Sequence, residues 1–211
     1  MAKVRPILRA PHSGKNYFLV DSSFLANKHI PPHIAPIGHE RDRVQACRDW
    51  WAEIDAQLDA GFARIYVPDI CIAEAFKVLA KKYYSHKWFP SAVSYGQARS
   101  RLAADMTTSP KELKKFNRRV SIHDVSTNRD IIISVDRFFE LFNKHKKNVQ
   151  IGDLILIATA KYLMDFFDIP KDLLHVVTLD TALREGIGKA TDLPRAYDPT
   201  LVSHRASRIF R

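Results

Sequence analysis

The sequence has few of the features that mark secreted, disulfide-linked or membrane proteins. It contains only two cysteines, Cys47 and Cys71, whose spacing fits neither a disulfide framework nor a metal-binding pair, so a reduced interior is expected. The longest apolar stretch, Leu154 to Ala160, is too short to cross a bilayer. Pro6 and Pro11 interrupt the basic N-terminus where a secretory signal would need an apolar segment. We therefore expect a cytoplasmic protein with no membrane partner.

Short motifs of several large enzyme classes are also missing. The sequence has no P-loop, GxGxxG or GxSxG pattern, which argues against nucleotide-dependent and α/β-hydrolase chemistry. The nine histidines include His123, His175 and His204, but none has metal-ligand spacing, and His175 is expected to be structural. Ser22 and Ser23 have no His-based triad in a suitable order, so a serine nucleophile is not predicted.

Acidic residues are scarce in three stretches that carry most of the positive charge. The net charge is +10, and residues 1–15, 81–120 and 201–211 contribute +4, +8 and +3, so the rest of the chain is mildly acidic. Clustered positive charge repels itself, and a polyanion would relieve that repulsion. From charge alone, two interpretations of these stretches are equally open: contact with nucleic acid, or a surface that is only solvated. The predicted nucleic-acid contacts in 81–120 are Lys81, Lys82, Lys87, Arg99, Arg101, Lys114, Lys115, Arg118 and Arg119.

The 81–120 stretch also holds aromatic residues among its basic ones: Tyr83, Tyr84, Trp88, Phe89, Tyr95 and Phe116. Aromatic rings beside basic groups can stack the bases of single-stranded RNA. The alternative is that they pack a helical hairpin against the body of the protein. We favour packing for most of them.

Alternating strand and helix patterns predict an α/β fold. Short apolar runs predict strands at 17–21, 63–67, 120–125, 174–179 and 195–197. Helical periodicity and capping signals predict helices from residue 22, over 43–60, from 68 to the low 80s, and over 92–106, 110–117, 127–144 with Thr127 as the N-cap, 152–167 and 181–185. The alternation favours a parallel sheet with helices on both faces. Length favours a single domain over 1–211, with a basic helical insertion at about 81–120.

Four acidic residues stand where such a sheet places its ligands, near the carboxyl ends of its strands. Asp21 and Asp180 end two predicted strands, Glu74 lies early in the helix after the second strand, and Asp153 lies in the first turn of an apolar helix. Taken singly, the three aspartates have a simpler explanation as helix caps or as partners of a helix dipole.

Glu74 fits that simpler explanation worst. It lies too deep in its helix to cap it and is flanked by apolar residues. A buried carboxylate is costly without a partner, and Lys77 or Lys81, on nearby turns, could supply one. Alternatively, the four acids converge, and a divalent cation relieves their repulsion. Mg²⁺ and Mn²⁺ prefer oxygen ligands, and such an ion can activate a water and stabilise charge on a phosphoryl group.

The segments around the four acids resemble the acidic motifs of PIN domains. They are FLVDSSFLA at 18–26, VPDICIAEAFKVL at 67–79, IGDLILIATAKYL at 151–163 and VVTLDTAL at 176–183, and they occur in the family's order. The resemblance implies a three-layer α/β/α fold and Mg²⁺- or Mn²⁺-dependent cleavage of RNA. Asp21, Glu74, Asp153 and Asp180 would be the catalytic metal ligands, supported by the hydroxyls of Ser22 and Thr178.

Many members of this family resemble VapC toxins, which implies an antitoxin partner and a homodimer. The loop at 28–40 and the stretch at 81–120 make this chain longer than compact toxin-like members, which argues against the toxin assignment but not against the site. Two alternatives stay open. One is a non-catalytic RNA-binding module with the same fold, and the other is a structure-specific DNA nuclease of the flap-endonuclease type.

Overall fold

A computed structural model of the protein describes residues 14–107 and 122–205. Their strands form one five-stranded sheet in the order β3-β2-β1-β4-β5, and every neighbouring pair is parallel. The strands are β1 (Asn16–Val20), β2 (Ala63–Pro68), β3 (Ile122–Val125), β4 (Leu174–Val177) and β5 (Arg195–Tyr197). The predicted α/β fold with a central parallel sheet is confirmed.

Helices connect the strands and cover the sheet. They are α1 (Ser22–Asn27), α2 (His39–Asp59), α3 (Asp69–Tyr84), α4 (Ala92–Asp105), α5 (Arg129–Lys144), α6 (Ile151–Phe167), α7 (Thr181–Ile187) and α8 (Val202–Arg205), with short 3-10 helices at Pro32–Ile34 and Lys171–Leu173. None of the helices within the described ranges is long and apolar enough to span a membrane.

The two central strands show why both faces of the sheet must be covered. Successive side chains of a strand point to opposite faces, and Phe18, Leu19 and Val20 in β1 are all fully buried. All four residues of β4 are buried as well. Apolar runs without alternation are typical of parallel strands packed between two layers of helices. The core therefore lies on both sides of β1 and β4.

Several element boundaries differ from the sequence prediction. Helix α2 begins at His39 rather than Arg43. Asn128, not Thr127, is the N-cap of α5 and accepts from Ile131 N at 3.0 Å, while the Thr127 hydroxyl donates to Asp69 on α3.

Strand β4 ends at Val177 rather than Leu179. The reason is that Leu179 N donates to a carboxylate oxygen of Asp21 instead of continuing the ladder. The helix predicted over 110–117 lies outside the described residues.

Most aromatic residues of the predicted insertion pack a hairpin formed by α3 and α4. Trp88, Phe89 and Tyr95 are buried, and Tyr83 stacks on Tyr95 with 4.6 Å between ring centroids. Tyr84 differs, because 63% of it is exposed. The packing interpretation is confirmed for these four buried or stacked rings, and Phe116 lies outside the described part of the chain.

Candidate functional site

Asp21 is held at the exit of β1 by three hydrogen bonds. Its Oδ1 accepts from Phe24 N at 2.6 Å, and its Oδ2 accepts from Thr178 Oγ1 at 2.6 Å and from Leu179 N at 3.1 Å. The register of β1 with β4 pairs Val20 with Val177, so the two strand exits meet side by side. Burial raises the pKa of the Asp21 carboxyl, and these hydrogen bonds oppose that rise. The carboxylate is therefore oriented by the fold itself.

The negative charges of the other three acids all act on Asp153. It lies in the first turn of α6, where its Oδ2 accepts from Gln150 N at 2.9 Å. Burial raises the pKa of Asp153 to about 6, and three nearby negative charges add to the rise, those of Asp180, Asp21 and Glu74. Charges shift a pKa in this way when they are near and poorly screened by solvent. The four acids that the sequence singled out therefore interact electrostatically.

Glu74 approaches this group across a helix–helix contact. Its carboxylate lies against Gly152 of α6, where an added Cβ would come within 2.9 Å of Glu74 Oε1. Glu74 is half-buried and forms no ion pair with any described residue. The pairing with Lys77 or Lys81 is therefore absent from the described structure, because both lysines point to the exposed side of α3.

Asp180 serves as a helix cap and also belongs to the acidic group. Its Oδ1 accepts from Leu183 N at 2.7 Å and caps α7, while its backbone N–H donates to Thr178 Oγ1 at 3.0 Å. Thr178 thereby links Asp180 to Asp21 through one hydroxyl. The cap uses one carboxylate oxygen and leaves the other to a ligand. Ser22, the other predicted hydroxyl, is half-buried at the start of α1 next to Asp21.

The donor set suits a hard divalent cation in chemistry but is not arranged as a finished coordination sphere. All four side chains offer only carboxylate oxygens, which Mg²⁺ and Mn²⁺ prefer. Within residues 14–107 and 122–205, however, no three His, Cys, Asp or Glu side chains stand ready to hold one ion together. Asp153 and Asp180 each use a single oxygen in their caps. Their second oxygens remain for an ion.

Sequence reasoning missed a fifth acid at the same edge of the sheet, Asp198. It directly follows β5 and is buried, and its Oδ2 accepts from Arg184 Nη1 at 2.6 Å. Its Oδ1 accepts from Thr200. The strand-exit rule that found Asp21 would have found Asp198 too. Because its charge is paired with that of Arg184, Asp198 stabilises the β5 exit rather than extending the acidic group.

A cation beside the acids was also missed. Arg43 on α2 is half-buried, and its positive charge lowers the pKa of Asp21 against the effect of burial. Nothing in the sequence around Arg43 distinguishes it from other surface-facing arginines, since its approach to Asp21 depends on how α2 packs. Its charge favours the ionised form of the Asp21 carboxyl.

The predicted nucleic-acid contacts separate into three groups. Lys81, Lys87, Arg99 and Arg101 are exposed. Lys114, Lys115, Arg118 and Arg119 lie outside the described residues. Lys82 differs from its neighbours because its side chain is 12% exposed and its Nζ lies 3.9 Å from Glu40 Oε2.

The Nζ of Lys82 also lies 3.3 Å from the centroid of the Trp88 ring. Burial lowers the pKa of Lys82 to about 8. Lys82 therefore packs the hairpin, and its predicted role in binding nucleic acid has no support in its position.

Comparison with known proteins gives a fold but no sequence family. No family model matches the chain, and no curated protein matches it either. Solved structures do. A VapBC2 complex from Rickettsia felis bound to a DNA fragment from its promoter matches with a TM-score of 0.51 and 10% identity, over 86% of this chain and 98% of that one.

Two FitAB-type structures match to a similar degree. One is FitAB bound to an IR36 DNA fragment, with a TM-score of 0.52, 16% identity and coverage of 89% of this chain and 98% of that one. The other is FitAcB from Neisseria gonorrhoeae, with a TM-score of 0.51, 15% identity and coverage of 86% and 97%. At such low identity the likeness establishes the fold alone. The chain has the α/β fold seen in these VapBC2 and FitAB structures.

Proposed function

We propose that this protein is a metal-dependent endoribonuclease whose four acids hold Mg²⁺ or Mn²⁺. The observation that carries the proposal is the gathering of these acids at the carboxyl edge of a parallel sheet, the edge where such folds bind ligands. Asp21 is fixed there by Thr178 and Leu179, and Glu74 reaches it across Gly152. Carboxylates crowded in this way repel one another, and a divalent cation would relieve that repulsion.

In the proposed RNA cleavage, the metal ion and the protein side chains have different roles. A bound divalent cation lowers the pKa of a coordinated water and stabilises charge on a phosphoryl oxygen. The protein supplies orientation: Thr178 Oγ1 donates to Asp21 and accepts from Asp180 N, so both aspartates keep a fixed relation. Arg43 supplies a positive charge that attracts the phosphate to the site.

RNA is the proposed substrate because the acidic site adjoins a strongly basic part of the chain. Residues 75–104 contain six Lys and Arg and no Asp or Glu. Such clustering favours a polyanionic partner. The solved structures with this fold are VapBC- and FitAB-type complexes. By analogy with these complexes we propose that the protein binds an antitoxin-type protein partner. A cytoplasmic location and a homodimer are part of the same proposal.

Carboxamide variants of the acids test the enzymatic proposal. Asp21→Asn, Glu74→Gln and Asp153→Asn should each lose at least about 100-fold in cleavage of labelled RNA. Glu140→Gln changes an exposed acid on α5 and is the matched control for Glu74→Gln. Far-UV circular dichroism should show that all variants are folded.

The same RNA-cleavage assay measures the dependence on metal. Wild-type cleavage should require added Mg²⁺ or Mn²⁺ and stop in EDTA. Cleavage that persists in EDTA, or in all three acid variants, contradicts the proposal. Cleavage of flap DNA with no cleavage of RNA would keep the metal site and replace the substrate.

A further inference from the structure

A row of exposed side chains runs along α3 away from the acidic site. Ala73, Lys77, Lys81 and Tyr84 recur every three or four residues, so they lie on one face of the helix. All four are exposed. Glu74 borders the row at its start. We call these four residues the α3 stripe.

Two lysines, Lys77 and Lys81, give the α3 stripe its positive charge. No acid occurs between Glu74 and Asp105 in the sequence, and neither Lys77 nor Lys81 forms an ion pair with a described residue. Lys82, on the next position of the helix, is instead packed under Trp88. The fold thus packs Lys82 in the hairpin and leaves Lys77 and Lys81 in a line on the exposed face of α3. Exposed lysines in a line are suited to successive phosphates of a nucleic-acid backbone.

An exposed aromatic ring stands at the far end of the stripe. Tyr84 is 63% exposed, yet its ring contacts Tyr83 at 4.7 Å and Tyr95 at 5.9 Å between centroids. Arg99 adds a guanidinium 5.9 Å from the ring of Tyr95. A ring supported from behind and open in front is the arrangement on which a nucleobase stacks.

We propose that the α3 stripe binds a single-stranded segment of RNA that continues from the acidic site. Lys77 and Lys81 contact its phosphates, and Tyr84 stacks on one of its bases. Glu74 and Tyr84 are separated by ten residues, or about 15 Å at 1.5 Å per residue. That distance equals about four stacked nucleotides at about 3.4 Å each. An unpaired strand is required, because a base can reach Tyr84 only when it is not paired.

This inference rests on the proposed function for the entry of the strand at the acidic site, but the binding step can be measured without cleavage. A fluorescein-labelled 12-nucleotide single-stranded RNA is titrated with the full-length protein in EDTA, and anisotropy is recorded at several salt concentrations. The double variant Lys77→Gln/Lys81→Gln removes two phosphate contacts. Its affinity for the RNA should be lower than that of the wild type. The slope of log K against log salt should become less steep by about 1.4, at about 0.7 for each lost phosphate contact.

A matched control removes the same charge elsewhere. Lys144→Gln/Lys146→Gln neutralises two exposed lysines at the end of α5 and should leave both the affinity and the salt slope close to wild type. If the two double variants weaken binding equally, RNA is held by general electrostatics and the α3 stripe is not a binding path.

Stacking is tested separately at Tyr84. Tyr84→Ala should weaken binding about 5- to 100-fold, the effect of losing one stacked base, whereas Tyr84→Phe should bind like wild type because it keeps the ring. Phe139→Ala, at a 51% exposed ring on α5, is the control and should have no effect. Equal binding by Tyr84→Ala and wild type would contradict the stacking role.

The outcomes distinguish failure of this inference from failure of the proposed function. RNA binding that depends on the stripe, in a protein that cleaves no RNA with any metal, supports the inference and contradicts the enzymatic proposal. If RNA cleavage and RNA binding are both unchanged in the stripe variants, the enzymatic proposal is supported and this inference is contradicted. Equal dependence of duplex and single-stranded RNA on Tyr84 would overturn the single-strand assignment. Stripe variants that bind RNA normally but lose an acidic protein partner would assign the surface to that partner instead.

Discussion

The carboxylate of Glu74 lies on the backbone of Gly152. A Cβ built on Gly152 would be 2.9 Å from Glu74 Oε1 and 3.0 Å from Oε2. Glu74 belongs to α3 and Gly152 to α6, directly before Asp153. The missing side chain therefore allows an acid on one helix to approach an acid on the next, and Gly152 is part of the construction of the site.

Gly152→Ala should impair activity more than stability. The new methyl group displaces the Glu74 carboxylate, the flexible end of a long side chain, so the helices need not move. We expect RNA cleavage to fall on the order of 100-fold, as for a misplaced catalytic group. The free energy of unfolding in urea should change by less than about 1 kcal/mol. Gly96→Ala in α4, where a Cβ would meet nothing within 4 Å, is the control. Equal cleavage by the two variants would mean that Glu74 is not displaced or not needed.

The hydroxyl of Thr178, and not the shape of its side chain, should be needed for stability and for RNA cleavage. Thr178→Val keeps the size but removes the donor to Asp21 and the acceptor for Asp180 N. Because these groups are poorly solvated, we expect a loss of about 1–3 kcal/mol in the free energy of unfolding and a clear loss of RNA cleavage. Thr178→Ser, which keeps the hydroxyl, should recover most of both in urea denaturation and cleavage assays. A valine variant with wild-type activity would show that the orientation of Asp21 does not depend on Thr178.

Lys81 and Lys82 are neighbours in sequence and should respond oppositely to substitution. Lys82→Ala removes the contact with Trp88 and the pair with Glu40, and should lower the free energy of unfolding by about 1–2 kcal/mol with little change in RNA affinity. Lys81→Ala should leave stability within about 0.5 kcal/mol and weaken RNA binding. Urea denaturation and anisotropy measure both quantities on the same samples. The opposite pattern would mean that Lys82 leaves the hairpin to reach the RNA.

His175 should make the protein less stable in mild acid. Burial lowers its pKa to about 4, and Arg195 adds to this while Asp172 opposes it. The unfolded chain keeps a pKa of about 6.5, so below that pH it binds a proton that the folded state does not. The free energy of unfolding should therefore fall as pH drops from 6.5 towards 4, by about 2–3 kcal/mol at pH 4.5 from this group.

The variant His175→Gln isolates that contribution. Other buried groups titrate in both proteins, among them His29, so the comparison of their pH profiles leaves the effect of His175. Urea unfolding at pH 7 and pH 4.5 should give a smaller difference in the variant by about 2–3 kcal/mol. Identical differences in the two proteins would show that His175 is protonated in the folded state.

The sequence by itself predicted most of the elements and singled out the four acids. Strands without polar alternation, such as β1 and β4, are stable only between two layers of helices, and this pattern was enough to predict the fold class. The strand-exit rule then selects Asp21 and Asp180. Boundaries were less predictable, because Asn128 and Thr127 are both good caps. Only the position of Asp69 at the start of α3, to which the Thr127 hydroxyl donates, decides between them.

Only the tertiary structure decided which of these residues work together. Asp198 pairs with Arg184 where β5 packs beside α7, and Arg43 of α2 acts electrostatically on Asp21 after β1. No local sequence pattern is sensitive to either interaction. The same holds for Lys81 and Lys82, which are alike in sequence and opposite in environment. Local patterns depend on spacing along one element, whereas hydrogen bonds, burial and electric fields depend on distances in space. The sequence therefore predicted the acids, and the fold decided how they are oriented and what surrounds them.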